Sequence, residues 1–243
     1  MSDLNKIQTL SEFITRIEAL KYEHEASGNY SELLFRGQRE DKKLLPKLAR
    51  LNLSGSIKKI EKLMLDEFKR ASLPLAEFEP KDNWDWLALA QHHGLPTRLL
   101  DWTYSALVAL WFAVQNPPKD GADGIVWILK TDMSDFRDTE KFDDPLENKV
   151  TKIFRSRVVS KRISAQAGVF TAHRIDSSGK VVQFESNATF REKLTKLIIP
   201  AENFSSIRAS LKMMGVNHST VFPDIDGLCL HLERRFSKLE DEI

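Results

Sequence analysis

QHHGLPTRLLDWTYSALVALWFAV, residues 91–114, is the densest stretch of the chain. His92, His93, Arg98 and Asp101 fall within eleven residues, around a Gly94-Leu95-Pro96 turn. An unbroken apolar run from Ala106 to Val114 follows and stops at Asn116-Pro117-Pro118. Apolar on every side, the run predicts a helix buried all round, near the centre of the fold. It is far too short to cross a bilayer. Asp101 and Thr103 stand where the helix N-cap and its approach belong, and Thr103 can accept a backbone N–H there. Charged groups this close to a core are costly unless paired, so they either tie the fold together or line a site.

Outward from this centre, the 3.6-residue periodicity predicts a helix from Thr9 to Ala26, with capping-box spacing at Thr9 and Glu12 and a stop at Ser27-Gly28-Asn29. Leu33-Leu34-Phe35 fits a buried strand that ends at Arg36-Gly37-Gln38 beside a sharp turn. Residues 39–56 read as loop. A helix follows over Ile57–Ser72, with Ile57, Ile60, Met64, Phe68 and Ala71 inward, its charges a solvated face and Asp66 paired with Arg70. Asp82 or Asn83 caps a helix from Trp84 to His92. Gly124–Leu129 and Leu194–Ile199 are strands, and residues 162–171 suggest another with a glycine bulge. Ser205 or Ser206 caps a helix ending at Gly215, Val216–Phe222 is extended, and a last helix packs Leu228, Leu232 and Phe236 inward. The mixture without strict alternation predicts one α+β domain with a mixed central sheet flanked by helices.

Composition narrows the class. The 243 residues are 42% hydrophobic and 29% charged, as in an ordinary globular protein, and 36 basic residues face 35 acidic ones. Balanced overall charge favours no partner. The single cysteine, Cys229, forbids an internal disulfide and reads as a core filler in an amphipathic helix. Nothing resembles a signal or membrane-spanning segment, so a cytoplasmic protein with no membrane partner is expected. One charge asymmetry stands out. Residues 131–147 hold seven acidic and two basic side chains, and residues 148–174 hold seven Lys or Arg and no acid. The basic stretch either neutralises the acidic one or faces phosphate, RNA included.

Familiar signatures of chemistry are missing. There is no phosphate-binding glycine loop, no Gly-x-Ser-x-Gly and no His-Glu-x-x-His. Adjacent His92 and His93 diverge by about 100° on a helix, so no metal is predicted. What remains are dispersed polar groups beside glycines: Arg36-Gly37-Gln38, His93-Gly94, Thr97-Arg98, Asp101-Trp102-Thr103, and Arg162 with Gln166-Ala167-Gly168. Arginine forks suit phosphate or carboxylate, glycines let a ligand approach the backbone, and Trp102 offers a stacking face. A flat phosphorylated ligand fits this set. Equally, Arg36 or Arg98 pairing with Asp101 would pin the buried helix to the sheet.

Phe35-Arg36-Gly37-Gln38, then residues 90–103 and Ala109-Leu110-Trp111-Phe112-Ala113, resemble the FRG-domain family, named for its Phe-Arg-Gly triplet. Arg162 to Phe170 resembles that family's third block, and Phe222 to Leu228 its closing block. The resemblance implies an N-terminal helix over 1–29, an FRG domain over 30–236 and an acidic tail, expected to fray, over 237–243. A more distant resemblance is to ADP-ribosyltransferases, in the order of Arg36, the Thr97–Thr103 segment with the helix after it, and a strand bearing Gln166. It implies an ADP-ribosyltransferase-like fold and NAD as candidate substrate, cleaved at its glycosidic bond through an oxocarbenium-like state. Arg36, Asp101, Thr103 and Gln166 are then the candidate catalytic set, with Gln38, His93, Thr97, Arg98, Trp102 and Arg162 as ligand-binding residues. Gln166 stands where that group carries a glutamate, and Asp101 is the alternative source of negative charge. An intracellular toxin or phage-defence effector is the setting by analogy. The alternatives are a non-catalytic nucleotide- or RNA-binding module, using residues 148–174, and a structural scaffold.

Overall fold

A computed structural model describes residues 5–26, 28, 32–75, 80–140, 143–157 and 161–243, the side chain of Lys161 excepted. It is one α+β domain around a six-stranded sheet ordered β4-β5-β2-β1-β3-β6. The strands are β1 Leu33–Gln38, β2 Leu99–Thr103, β3 Gly124–Lys130, β4 Lys152–Phe154, β5 Gly168–Ala172 and β6 Leu194–Ile199. Neighbouring strands pair antiparallel, and parallel pairing is confined to isolated bridges such as Lys6–Ile198.

Among the described residues the helices are α1 Leu10–Ala26, α2 Ile57–Ser72, α3 Asn83–His92, α4 Ala106–Val114, α5 Lys161–Ala165, α6 Phe204–Met213, α7 His218–Val221 and α8 Ile225–Phe236. Short apolar alternation on the strands gives the sheet two covered faces. Leu33, Phe35, Val126, Ile128, Leu197 and Ile199 pack under α1, α4 and α6. Leu34, Leu100, Trp102, Leu129 and Val169 pack on the other side against Leu44, Phe184 and Phe190. Helices α2 and α3 cover the β2–β5–β4 end through Leu65, Trp84, Leu87, Phe154 and Phe170.

The apolar run at 106–114 is the central helix expected, with Val108 to Trp111, Ala113 and Val114 buried. Its cap is Ser105, whose Oγ accepts the Val108 N–H at 3.3 Å; Thr103 instead accepts the Ser105 N–H at 2.9 Å. The segment expected to approach the helix is therefore a strand, which the apolar run alone did not reveal. β1 also runs on through Gly37 and Gln38, still paired with Val126 and Ile125. Gly37 serves packing rather than a turn: a Cβ there would lie 1.8 Å from the Ala109 carbonyl oxygen. Glycine lets α4 rest directly on the strand.

Other expectations change. Residues 161–165 are helical, and Ala167 turns the chain at φ 46° before β5 begins, so Gln166 is not on a strand. Asn217 caps a helical turn where extended chain was expected. The inward row of α2 is rotated to include Glu61 and Leu65, and Asp66 pairs with Lys62 while Arg70 pairs with Glu67. On α8, Leu228, Leu232, Phe236 and Cys229 are exposed, not packed. Gly227 explains why: it is buried so close to Phe222 that a Cβ would lie 2.0 Å from that residue's carbonyl oxygen, which turns the opposite row outward. The acidic tail is held rather than frayed, because Arg208 binds Asp241 and Glu242 at 2.6 and 2.8 Å. The end of the first helix at residues 27 and 29 lies outside the described residues.

Candidate functional site

The sheet is tightly paired except at one seam. β1 matches β3 over six residue pairs and β2 matches β5 over five, but β1 and β2 meet only at Phe35–Thr103. Beyond that pair the two strands diverge, and a cleft of about 310 Å³ opens between them. Arg36, Asp101, Thr103, Gln166 and Arg162 line it, together with Gln91 and His92 from the end of α3. Phe112 of α4 and Phe170 of β5 supply apolar wall.

Arg36 bridges the seam. Its Nη1 donates to the Asp101 carbonyl oxygen at 2.6 Å and lies 3.9 Å from the Asp101 carboxylate. Its buried Nε–H has no partner among the described residues. Burial lowers the pKa of this guanidinium from its ordinary value; Asp101 opposes that, and Arg50 adds to it. Arginine nonetheless stays charged at any physiological pH. Asp101 is no interior tie, since its side chain is 57% exposed.

A hydrogen-bond relay orients Asp101. The Leu99 N–H donates to Thr97 Oγ1 at 3.1 Å, and that hydroxyl donates to Gln91 Oε1 at 2.7 Å. This fixes the amide so that Gln91 Nε2 donates to Asp101 Oδ2 at 3.1 Å. Thr97 is thus a buried positioning residue and does not itself face the cleft. Gln91 went unnoticed as a candidate because its role exists only through Thr97 and Asp101, six and ten residues away.

Thr103 and Gln166 reach the cleft with their polar groups engaged. The Thr103 hydroxyl donates to the Gln166 carbonyl at 2.6 Å, and the Gln166 amide donates to the Val221 carbonyl at 3.2 Å. Together they close the cleft floor. Arg162 stacks over Phe222 at 4.3 Å, with its charge at the cleft wall. Burial lowers the pKa of His92 from its ordinary value, and His93 and Arg162 lower it further.

Three expected ligand contacts, Arg98, Gln38 and His93, lie elsewhere, and Trp102 reaches the cleft with its ring already packed. Arg98 is 1% exposed and pairs with Glu61, itself 2% exposed, not with Asp101. Its Nε donates to the two Glu61 oxygens at 2.9 and 3.0 Å, and its Nη1 donates to the Pro145 carbonyl at 2.7 Å. This buried guanidinium ties β2 to α2, away from the cleft. Trp102 lines the cleft, but its ring packs on Phe184 at 5.5 Å and its Nε1 donates to Thr171 Oγ1 at 3.1 Å. Gln38 accepts from Trp127 Nε1 at 3.1 Å and is not among the residues that line the cleft. His93 is exposed at the end of α3, outside the cleft. Glu61 could have been suspected from sequence as an acid one turn before Leu65 on a row that has to be covered.

The basic stretch 148–174 divides. Arg155 pairs with Glu32 at 2.9 Å and with the Tyr104 hydroxyl at 2.8 Å, and Arg157 pairs with Asp82 and Asp85 at 3.2 and 3.0 Å. Lys152 donates to the Ser134 carbonyl at 2.6 Å, while Arg162 goes to the cleft. Residues 158–160 of the stretch lie outside those described. Among the described residues no group of three His, Cys, Asp or Glu side chains is placed to hold a metal ion, and no helix is long and apolar enough to cross a membrane.

Comparison with known proteins returns one relationship. No curated protein and no solved structure matches the chain. Residues 31–122 match the family model of the FRG domain, a segment that holds β1 with Arg36 and Gly37, the Gln91–Thr97–Asp101 relay and α4, and that stops short of Arg162 and Gln166.

Proposed function

We propose that the seam between β1 and β2 binds a phosphorylated nucleotide of the NAD type, and that Asp101 promotes cleavage of its glycosidic bond. One observation carries the reading: the strands part where Arg36, with a buried unpartnered N–H, meets a carboxylate held by a dedicated relay. An unpaired buried donor costs about 1–3 kcal/mol, and a phosphate oxygen would remove that cost. Arg36 and Arg162 give the cleft two positive charges against the one carboxylate of Asp101. The volume of about 310 Å³ is at the small end of ligand pockets, so the cleft takes the phosphate and ribose and leaves the rest of a dinucleotide outside.

In this reading Arg36 and Arg162 hold phosphate oxygens. Asp101, kept in place by Gln91, stabilises positive charge on the ribose as the bond from its anomeric carbon to the nicotinamide nitrogen breaks. The bonding pair leaves with nicotinamide. Water adds to the anomeric carbon and loses a proton to solvent, giving ADP-ribose. Gln166 lacks the charge for this role and its amide is engaged by Val221, so it shapes the floor.

Incubation of the purified protein with NAD, followed by quantification of nicotinamide, tests the proposal. Release should fall at least tenfold in Arg36→Ala and in Asp101→Asn, while Asp101→Asn retains ADP-ribose binding. Binding of ADP-ribose that depends on Arg36 without any nicotinamide release would leave a recognition module in place of the enzyme. Absence of both would remove the nucleotide reading. The engaged hydroxyl and amide of Thr103 and Gln166 are the observation that favours the recognition module as the second reading.

A further inference from the structure

Helix α8 is mounted with its less apolar side inward. Leu228, Leu232 and Phe236 face solvent, while Gly227, Leu230, His231 and Arg234 form the row turned toward the protein. Those four have the i, i+3, i+4, i+7 spacing of one helix face. Turning a polar row inward costs desolvation that burying the apolar row would have avoided. The polar row reaches a second cavity, of about 230 Å³, separate from the cleft and bounded by α4, α6, α7 and α8. Arg208, Lys212, His218, His231, Arg234 and Arg235 line it.

Positive charge in this cavity exceeds negative. Arg208 is neutralised by Asp241 and Glu242 and also donates to the Val114 carbonyl at 2.8 Å. Lys212, Arg234 and Arg235 make no ion pair among the described residues. Arg234 gives one N–H to Asn116 Oδ1 at 3.2 Å, and its buried Nε–H has no partner among those residues. The cationic crowding is visible on His218, which stacks edge-on against Trp111 at 4.8 Å. Burial, then Arg234 and His231, push its pKa down to about 4.

We propose that this cavity is a binding site for a small multivalent anion carrying a diphosphate group, held by Lys212, Arg234 and Arg235. Arginine forks match phosphate oxygens, and three unpaired cations suit a ligand of more than one negative charge. The volume of about 230 Å³ holds a free diphosphate whole, with three cations converging on it. The tail shows the same chemistry in miniature, two adjacent carboxylates closing on Arg208 at the rim.

Calorimetric titration of inorganic pyrophosphate into the protein carrying both Arg36→Ala and Arg162→Ala, where the two cleft arginines are absent, reads this site alone. Saturable one-site binding is expected, weakened at least tenfold by adding Lys212→Gln and Arg235→Gln. Both side chains are exposed, so the substitutions leave the fold intact, as circular dichroism would check. Bound pyrophosphate should also raise the pKa of His218 by at least half a unit in an imidazole NMR titration and leave that of His173 unchanged. No binding in that doubly substituted background, or binding indifferent to Lys212 and Arg235, overturns the site. Binding of ADP as tight as that of pyrophosphate overturns the free anion. These outcomes are independent of nicotinamide release, so this site and the cleft stand or fall separately.

Discussion

Replacing Glu61 by alanine would strand the Arg98 guanidinium in the interior. Glu61 accepts from Arg98 Nε and Nη2 and, at 3.2 Å, from the Arg98 backbone N–H. Only the Pro145 carbonyl would remain as a partner for the charge. With both side chains at 2% exposure or less, water cannot fill the gap without local opening. Breaking a buried pair from one side costs about 3–5 kcal/mol, which for a domain of this size lowers the melting temperature by roughly 6–20 °C. The double substitution Glu61→Leu with Arg98→Met removes both charges and should recover most of that loss, because an apolar pair of similar volume needs no desolvation of ions. Urea unfolding at pH 7.5, followed by the fluorescence of the five tryptophans, measures both. A cost for Glu61→Ala below about 1 kcal/mol, or a double variant no more stable than the single one, would refute the assignment of Arg98 to structure.

Gly37→Ala should be among the most damaging single-methyl changes in the chain. The new Cβ would meet Ala109 O at 1.8 Å and Ala113 N at 2.9 Å, both backbone atoms that cannot rotate away. A loss at or above the roughly 3 kcal/mol upper end for overpacking is expected, seen as a lower thermal midpoint or insoluble protein. Stability should also fall in mild acid. His173 is fully buried and its pKa is pushed down from 6.5 to about 4, chiefly by burial. Between those values the unfolded chain binds the proton and the folded one does not, so stability is complete above pH 6.5 and declines toward pH 4. The loss from this group is about 3 kcal/mol, at 1.36 kcal/mol per unit. Stability measured against pH should have a shallower slope over that window in His173→Gln, and an unchanged slope would refute the assignment.

Local pattern was enough for much of the fold. Ile57–Ser72 and Leu194–Ile199 are bounded as their periodicity and punctuation require, and the apolar run to Val114 is the buried helix. These features depend on neighbours within a turn or a strand, so the chain itself carries the information. Which row of an amphipathic helix is buried was less legible. α2 rotates toward Glu61 because Arg98 waits there, and α8 rotates away from Leu228 and Leu232 because Gly227 admits Phe222.

The site divides the same way. Arg36, Asp101, Thr103, Gln166 and Arg162 stood out as polar groups beside glycines, and they meet at one seam. Arg98, Gln38 and His93 stood out equally and do not line it, while Trp102 lines it with its ring packed on Phe184. Sequence specifies residue types and their order, whereas strand alternation, the Thr97–Gln91 relay and the partner of each guanidinium depend on contacts between distant segments. The sequence by itself therefore determined that residues 91–114 deliver polar groups to a buried helix beside a Phe-Arg-Gly strand. Only the tertiary structure decided that β1 and β2 part after Phe35–Thr103, which places Arg36 against Asp101 in an open cleft and commits Arg98 to Glu61 in the core.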